Sequence, residues 1–161
     1  MTESLTFDLS KEPLYDVEDI QKFLPHRPPF LFIDKILEMG KDYIVGIKNV
    51  TMNESFFVGH FPGNPVMPGV IQIEAMAQTG GVLLLSNVPD PENYITLLLK
   101  IEDVKFRKVV KPGDTIVFYN KLTKPVRRGI GIMKGQAYVN GKVVMEGTMM
   151  ASLVKNEDVN E

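Results

Sequence analysis

The clearest signal in the chain is GVIQIEAMAQTGGVLLLSN, residues 69–87, which is apolar on nearly every side when wound at the helical period. That pattern predicts a helix covered all round, since a helix lying on a surface keeps one polar face. Gln72, Glu74, Gln78 and Thr79 interrupt the run and exclude a membrane span. Two further segments, FLFIDKILEMG and YIVGIKNVTM, read as strands separated by a turn near Gly40, Lys41 and Asp42. Ahead of them DVEDIQKF has its acids before Ile20 and Phe23, which predicts a short helix stopped by Pro25, a residue with no amide to continue it.

From residue 93 the period is that of strands. NYITLLLKIEDVKFRKVV, TIVFYNKLTK, IGIMKGQAYV and KVVMEGTMMASLV are divided by Lys111-Pro112-Gly113-Asp114, by Arg127-Arg128-Gly129 and by Asn140-Gly141. The last pair tolerates the positive φ of a tight hairpin turn. Four antiparallel strands in a meander are the expectation. A lone helix that is apolar all round needs cover on most sides, and one strongly curved sheet supplies it. The fold class is therefore α+β, an antiparallel sheet wrapped around one long central helix.

Composition narrows this picture. The 161 residues, 44 % of them hydrophobic, suit one domain. We expect a polar acidic segment over residues 1–15, the domain over 16–154 and a disordered tail over 155–161. There is no cysteine, so disulfides and thiolate metal sites are excluded and a reducing compartment fits. No secretory leader is visible at the start, and the expectation is a soluble, cytoplasmic protein. A net charge of -2 conceals nine lysines and arginines against three acids in residues 100–128. That segment reads either as a solvated sheet edge or as a steering surface for an anionic partner. Nucleic acid is a poor candidate, because the whole protein is acidic and its aromatic and basic residues are not interleaved as a stacking platform requires.

Candidate chemistry centres on GHFPGNPVMPG, which carries His60, one of two histidines, into the start of the long helix. Pro62, Pro65 and Pro68 restrict the loop, while Gly63 and Gly69 allow close approach to backbone. Glu74 and Gln78 are four apart and share a helix face. Read alone, each of these residues is compatible with a purely structural role. Together, an imidazole that titrates near neutrality, a carboxyl in an apolar setting and free amides at Gly69 or Val70 describe removal of a proton α to a carbonyl with loss of a β substituent. Two histidines 34 residues apart make a poor metal site, and no serine-nucleophile, phosphate-loop or dinucleotide motif is present.

LPHRPPFLFIDKI, GHFPGNPVMPGVIQIEAMAQTGG and KFRKVVKPGDTI resemble, in order and spacing, the hallmark segments of the FabZ-type (3R)-hydroxyacyl-acyl carrier protein dehydratases, over about residues 16–154. The resemblance implies the hot-dog fold and a homodimer with shared active sites, assembled as a hexamer of three dimers. It implies catalytic His60 and Glu74 from different subunits, Gly69 facing the thioester carbonyl with Val70 beside it, and Gln78 next to the glutamate, all three read as substrate-binding. No metal or cofactor of the protein's own is implied, the phosphopantetheine arm belonging to an acidic acyl carrier protein for which segment 100–128 is the expected dock. Glu74 stands where the related dehydratase-isomerases carry aspartate, which predicts little isomerase activity. Pro28 replaces a tyrosine common among relatives, and His26, with no acidic partner evident in the sequence, reads as structural. A hot-dog thioesterase and a non-catalytic acyl or carrier-protein binding module are the competing readings.

Overall fold

Antiparallel pairing joins six strands into one sheet in the computed structural model, which describes residues 5–160. In chain order the elements are α1 (Val17–Phe23), β1 (Lys35–Met39), β2 (Tyr43–Asn49), α2 (Gly69–Leu85), β3 (Tyr94–Phe106), β4 (Thr115–Leu122), β5 (Ile130–Val139) and β6 (Lys142–Lys155), with short 3₁₀ turns at Ser55–Val58, Pro91–Asn93 and Asn156–Asn160. The strands lie in the order β1-β2-β4-β5-β6-β3. This corrects the expected four-strand meander. Of the four strands expected in it, only β4, β5 and β6 follow one another, while β2 pairs with β4 and β3 crosses to the far edge, where Tyr94 opposes Lys155 and Phe106 opposes Met145. The Asn140-Gly141 hairpin forms as expected, with φ of 50° and 72°.

Helix α1 is built by local chemistry. The Asp16 carboxylate accepts from the Asp19 amide at 3.0 Å, Glu18 and Asp19 complement the positive helix start, and Lys22 sits in the last turn. Helix α2 owes its place to the sheet. Met76, Leu83, Leu84 and Leu85 are at most 1 % exposed, and burying each such side chain contributes about 1.5–3 kcal/mol. They pack with Ile116, Phe118 and Met145 in one core. Gly135 on β5 lets the helix approach this closely, since a Cβ there would stand 1.9 Å from the Met76 sulfur. Asn120 of β4 donates to the Met76 carbonyl at 2.7 Å and pins helix to sheet.

Burial of α2 is not uniform. Gln78 to Leu85 are buried, as the apolar pattern requires, but Val70 is 70 % exposed and Glu74 half-buried. The first turns therefore project past the cover of a single sheet. Beside them, edge strand β3 leaves Leu97, Leu98, Leu99, Ile101 and Phe106 between 39 and 52 % exposed.

Both termini make contacts with the domain. The acidic N-terminal segment is not simply a polar cover, because Leu5 and Phe7 pack over Leu37, Val45, Ile47, Val117 and Tyr138 in a second cluster. Residues 1–4 and Glu161 lie outside the described residues. The expected disordered tail is replaced over 155–160 by the end of β6 and a 3₁₀ turn, which Asn156 ties to the Glu92 carbonyl at 2.9 Å. Among the described residues no helix is long and apolar enough to cross a membrane.

Candidate active site

The loop carrying His60 is closed by its own backbone. His60 N–H donates to the Phe56 carbonyl at 3.0 Å, Phe61 and Asn64 exchange amide bonds, and Val66 N–H returns to the His60 carbonyl at 3.0 Å. Upstream, the buried Lys48 of β2 binds Glu54 at 2.6 Å, fixing the residue that begins the 3₁₀ turn leading to His60. The His60–Phe61 peptide is cis, as is Pro28–Pro29.

This closure decides the state of the imidazole. His60 Nδ1 lies 2.6 Å from the Val66 carbonyl oxygen. A carbonyl only accepts, so Nδ1 carries the hydrogen, and in the neutral ring Nε2 keeps its lone pair. The ring stacks on Phe61 at 4.0 Å between centroids. It borders an open cleft of about 520 Å³ whose wall includes Gly69, Val70, Gln72, Phe106, Arg107 and Lys108.

The start of α2 faces this cleft. Pro68 is its N-cap, and the first helical amides to find a carbonyl are those of Ile71 and Gln72, both on Pro68 O at 3.1 and 3.2 Å. The amides of Gly69 and Val70 stand ahead of them at the positive end of the helix, available to an oxygen that gathers negative charge. Gln72, mentioned in the sequence reading only as an interruption, is 3 % exposed and binds the Met67 carbonyl through Nε2 at 3.3 Å. Its side chain fixes the turn between loop and helix.

Glu74 stands apart from His60. Gln72 and Glu74 are two residues apart and point about 200° from each other around a helix, and the wall of the His60 cleft does not include Glu74. The carboxylate instead joins a separate cluster. Gln78 Nε2 donates to Glu74 Oε1 at 2.9 Å and to the Phe30 carbonyl at 2.8 Å, while Gln78 Oε1 accepts from the Phe32 amide at 2.9 Å. Gln78 is 2 % exposed and thus ties the segment before β1 to the helix and holds Glu74 at the same time.

The same cluster gives His26 the acidic neighbour that the sequence did not reveal. Its Nε2 approaches Glu74 Oε1 at 3.5 Å, an acidic neighbour 48 positions away in sequence. Burial pushes the His26 pKa down; the Glu74 carboxylate opposes this and Arg27 reinforces it, leaving the net shift downward. At neutral pH the contact is therefore between a carboxyl oxygen and a neutral ring, not an ion pair. Arg27 braces the turn by donating to the carbonyls of Gln21, Leu24 and His26 at 2.7 to 3.1 Å. No group of three or more His, Asp or Glu side chains among the described residues is gathered to hold a metal.

Fold and site together define a hot-dog protein with an imidazole and open amides in one cleft and an oriented carboxyl on the far side of the same helix. The FabA-like domain family matches residues 24–148. A 3-hydroxyacyl-[acyl-carrier-protein] dehydratase FabZ of Solibacter usitatus is 51 % identical over 145 residues, covering 90 % of this chain and 89 % of that protein. A bifunctional enzyme LpxC/FabZ of Bacteroides thetaiotaomicron is 58 % identical over 152 residues, 94 % of this chain. The chain spans about a third of the length of that relative, 33 %. Among solved structures, the dehydratase heterocomplex ApeI:P of Xenorhabdus doucetiae shares the fold with a TM-score of 0.75 at 18 % identity, covering 88 % of this chain and 94 % of that one. The chain belongs to the FabA-like family, among its FabZ-type dehydratases.

Proposed function

We propose that the protein dehydrates (3R)-hydroxyacyl thioesters carried on an acyl carrier protein, giving trans-2-enoyl thioesters. One observation carries the mechanism: His60 has Nδ1 committed to Val66 and Nε2 open, in the cleft that the Gly69 amide faces. Nε2 removes the C2 proton, and the electron pair moves onto the thioester carbonyl oxygen, which the Gly69 amide at the helix start stabilises. When the pair returns, the C3–O bond breaks, and the hydroxyl leaves as water with a proton from Glu74. The proton left on His60 returns to Glu74 before the next turnover.

Glu74 reaches this reaction from a second copy of the chain. Two observations support a shared site: His60 and Glu74 open in different directions within one chain, and β3 is an edge strand with an exposed apolar run, a template for pairing with another sheet. A trimer of such dimers is the fuller assembly. Arg107 and Lys108 at the cleft rim suit an acidic carrier protein that delivers its arm to His60. The reaction needs no metal or redox group, and a cysteine-free chain acting on carrier-bound substrates fits the cytoplasm.

The test incubates the protein with 3-hydroxyacyl and enoyl carrier-protein thioesters and follows enoyl absorbance together with free thiol. Interconversion of the two thioesters without thiol release is the expected result. Thiol release without interconversion identifies a thioesterase, and tight binding without turnover a binding module.

A further inference from the structure

The cluster around Glu74 contains one ionisable group that the proposed reaction does not use, His26, and this inference rests on the dehydratase reading. Glu74 Oε1 lies 2.9 Å from the Gln78 amide nitrogen and 3.5 Å from His26 Nε2. Both neighbours come to the same oxygen: Gln78 donates to it, and the edge of the His26 ring stands beside it. Gln78 cannot turn away, because its remaining capacity is spent on Phe30 and Phe32 backbone. His26 is bounded by packing and not by hydrogen bonds. Its ring stacks on Phe30 at 6.3 Å and 21°, and its Nδ1 is buried without a partner. A neutral ring that offers Nε2–H to the carboxyl leaves Nδ1 as a bare acceptor, which costs less in an apolar site than a buried N–H with nothing to receive it.

We infer that His26 is a positioning residue for Glu74: with Gln78 it holds Oε1 as an acceptor only, so that the proton delivered to the leaving hydroxyl resides on Oε2. The consequence is a division of labour within one carboxyl group. Oε1 is clamped, and Oε2 is left to meet substrate. Neutrality of His26 is essential to this arrangement. A cationic ring would stabilise Glu74 as the carboxylate and withhold the proton the reaction needs. The charged groups that act on His26 are Glu74 from α2 and Arg27 from its own segment, and the buried setting keeps the ring neutral against the pull of Glu74.

The test has two arms on the intact assembly. In the first, steady-state kinetics are measured against pH for wild type, His26→Phe and His26→Gln. His26→Phe is expected to lower kcat by about 10- to 100-fold, the scale of a misplaced catalytic group, with KM changed less than about threefold. His26→Gln, whose amide can again donate to Oε1, is expected to recover most of kcat. It is also expected to lose the part of the acid-side fall in kcat that protonation of His26 contributes in wild type, leaving the part that belongs to the catalytic base. In the second arm, isotope-edited infrared spectra of ¹³C-glutamate protein, with Glu74→Gln as the subtraction, follow the Glu74 carboxyl band in unliganded protein. The wild-type band shifts as His26 titrates, and that step disappears in both His26 variants.

Unchanged kcat and unchanged pH profile in a folded His26→Phe assembly would overturn the inference. So would an infrared step that persists without His26. If the wild type fails to dehydrate while the step depends on His26, the pairing stands and the dehydratase reading falls.

Discussion

A Cβ placed on Gly69 would stand 2.6 Å from Cζ of Phe106, so the first residue of α2 is kept bare by an aromatic ring at the end of β3. Phe106 is 51 % exposed and can swing away, so alanine at this position costs little stability. What it displaces is the wall of the His60 cleft. Gly69→Ala is expected to lower kcat/KM by about tenfold or more through the shifted ring and helix start, with a melting temperature close to wild type. Gly69→Ala combined with Phe106→Leu should regain activity, because the shorter side chain vacates the space. Activity that stays low in the double variant would mean that the amide itself, and not the ring, had moved.

Separate placement of His60 and Glu74 makes a complementation experiment decisive. His60→Ala and Glu74→Gln are each expected to reduce kcat by about 10²- to 10⁴-fold, the usual contribution of a general base or acid. When the two inactive proteins are dissociated, mixed and reassembled, random pairing in a two-fold dimer gives mixed pairs with one intact site, or roughly a quarter of wild-type activity. Reassembled mixtures that remain inactive would show that each chain completes its own site.

Arg107 and Lys108 are exposed at the rim of the cleft, with Arg107 paired to Glu146 at 2.5 Å and its carboxyl held below the ordinary range by that guanidinium. An exposed pair contributes little to stability, so reversing these charges leaves the fold intact. The expected effect is on encounter. Arg107→Glu with Lys108→Glu should raise KM for a carrier-protein thioester by about tenfold at low salt and leave a small soluble thioester nearly unaffected. Equal loss on both substrates would remove the rim from the account of carrier recognition.

His26 also predicts a dependence of stability on pH. In the unfolded chain its imidazole protonates near the ordinary value of about 6.5, whereas burial holds the folded ring lower. Between those two values the unfolded state binds more protons, so stability rises with pH through this window and is lost as pH falls through it. His26→Phe should flatten this part of the stability profile, measured by denaturant unfolding from neutrality downward. An unchanged slope would mean that other groups dominate the window.

The elements legible in the sequence are those whose evidence is local. Residues 69–85 declare a helix by continuous apolar character, Asn140-Gly141 declares a hairpin, and IGIMKGQAYV coincides with β5 because turn residues bracket it. Strand order was not legible in the same way. NYITLLLKIEDVKF announces a strand but not its neighbour, and β3 passes over β4 to reach β6, where its backbone groups are satisfied. The loop closure from His60 to Val66 follows from the density of proline and glycine, yet the hydrogen bond that fixes the imidazole tautomer is a matter of ångströms. The approach of His26 to Glu74 left no trace at short range, because the two are brought together by Gln78 reaching across to Phe30 and Phe32.

Helix α2 would be a poor helix by itself. Gly80 and Gly81 each cost about 1 kcal/mol relative to alanine, Val70, Ile71, Ile73 and Val82 are β-branched, and Thr79 turns its hydroxyl back to the Ala75 carbonyl at 3.0 Å. The glycines are there for the sheet: a Cβ on Gly80 would press against the Met133 sulfur at 2.8 Å. The helix therefore acquires its order from the sheet on both sides of it in sequence, β2 ahead of it and β3 to β6 behind, including a β3–β6 pairing that reaches as far as Lys155. A chain cut short before β6 would keep His60, Glu74 and the Gln78 contacts in its sequence, but not the strand that pairs with both β3 and β5 to close the sheet around the helix they flank.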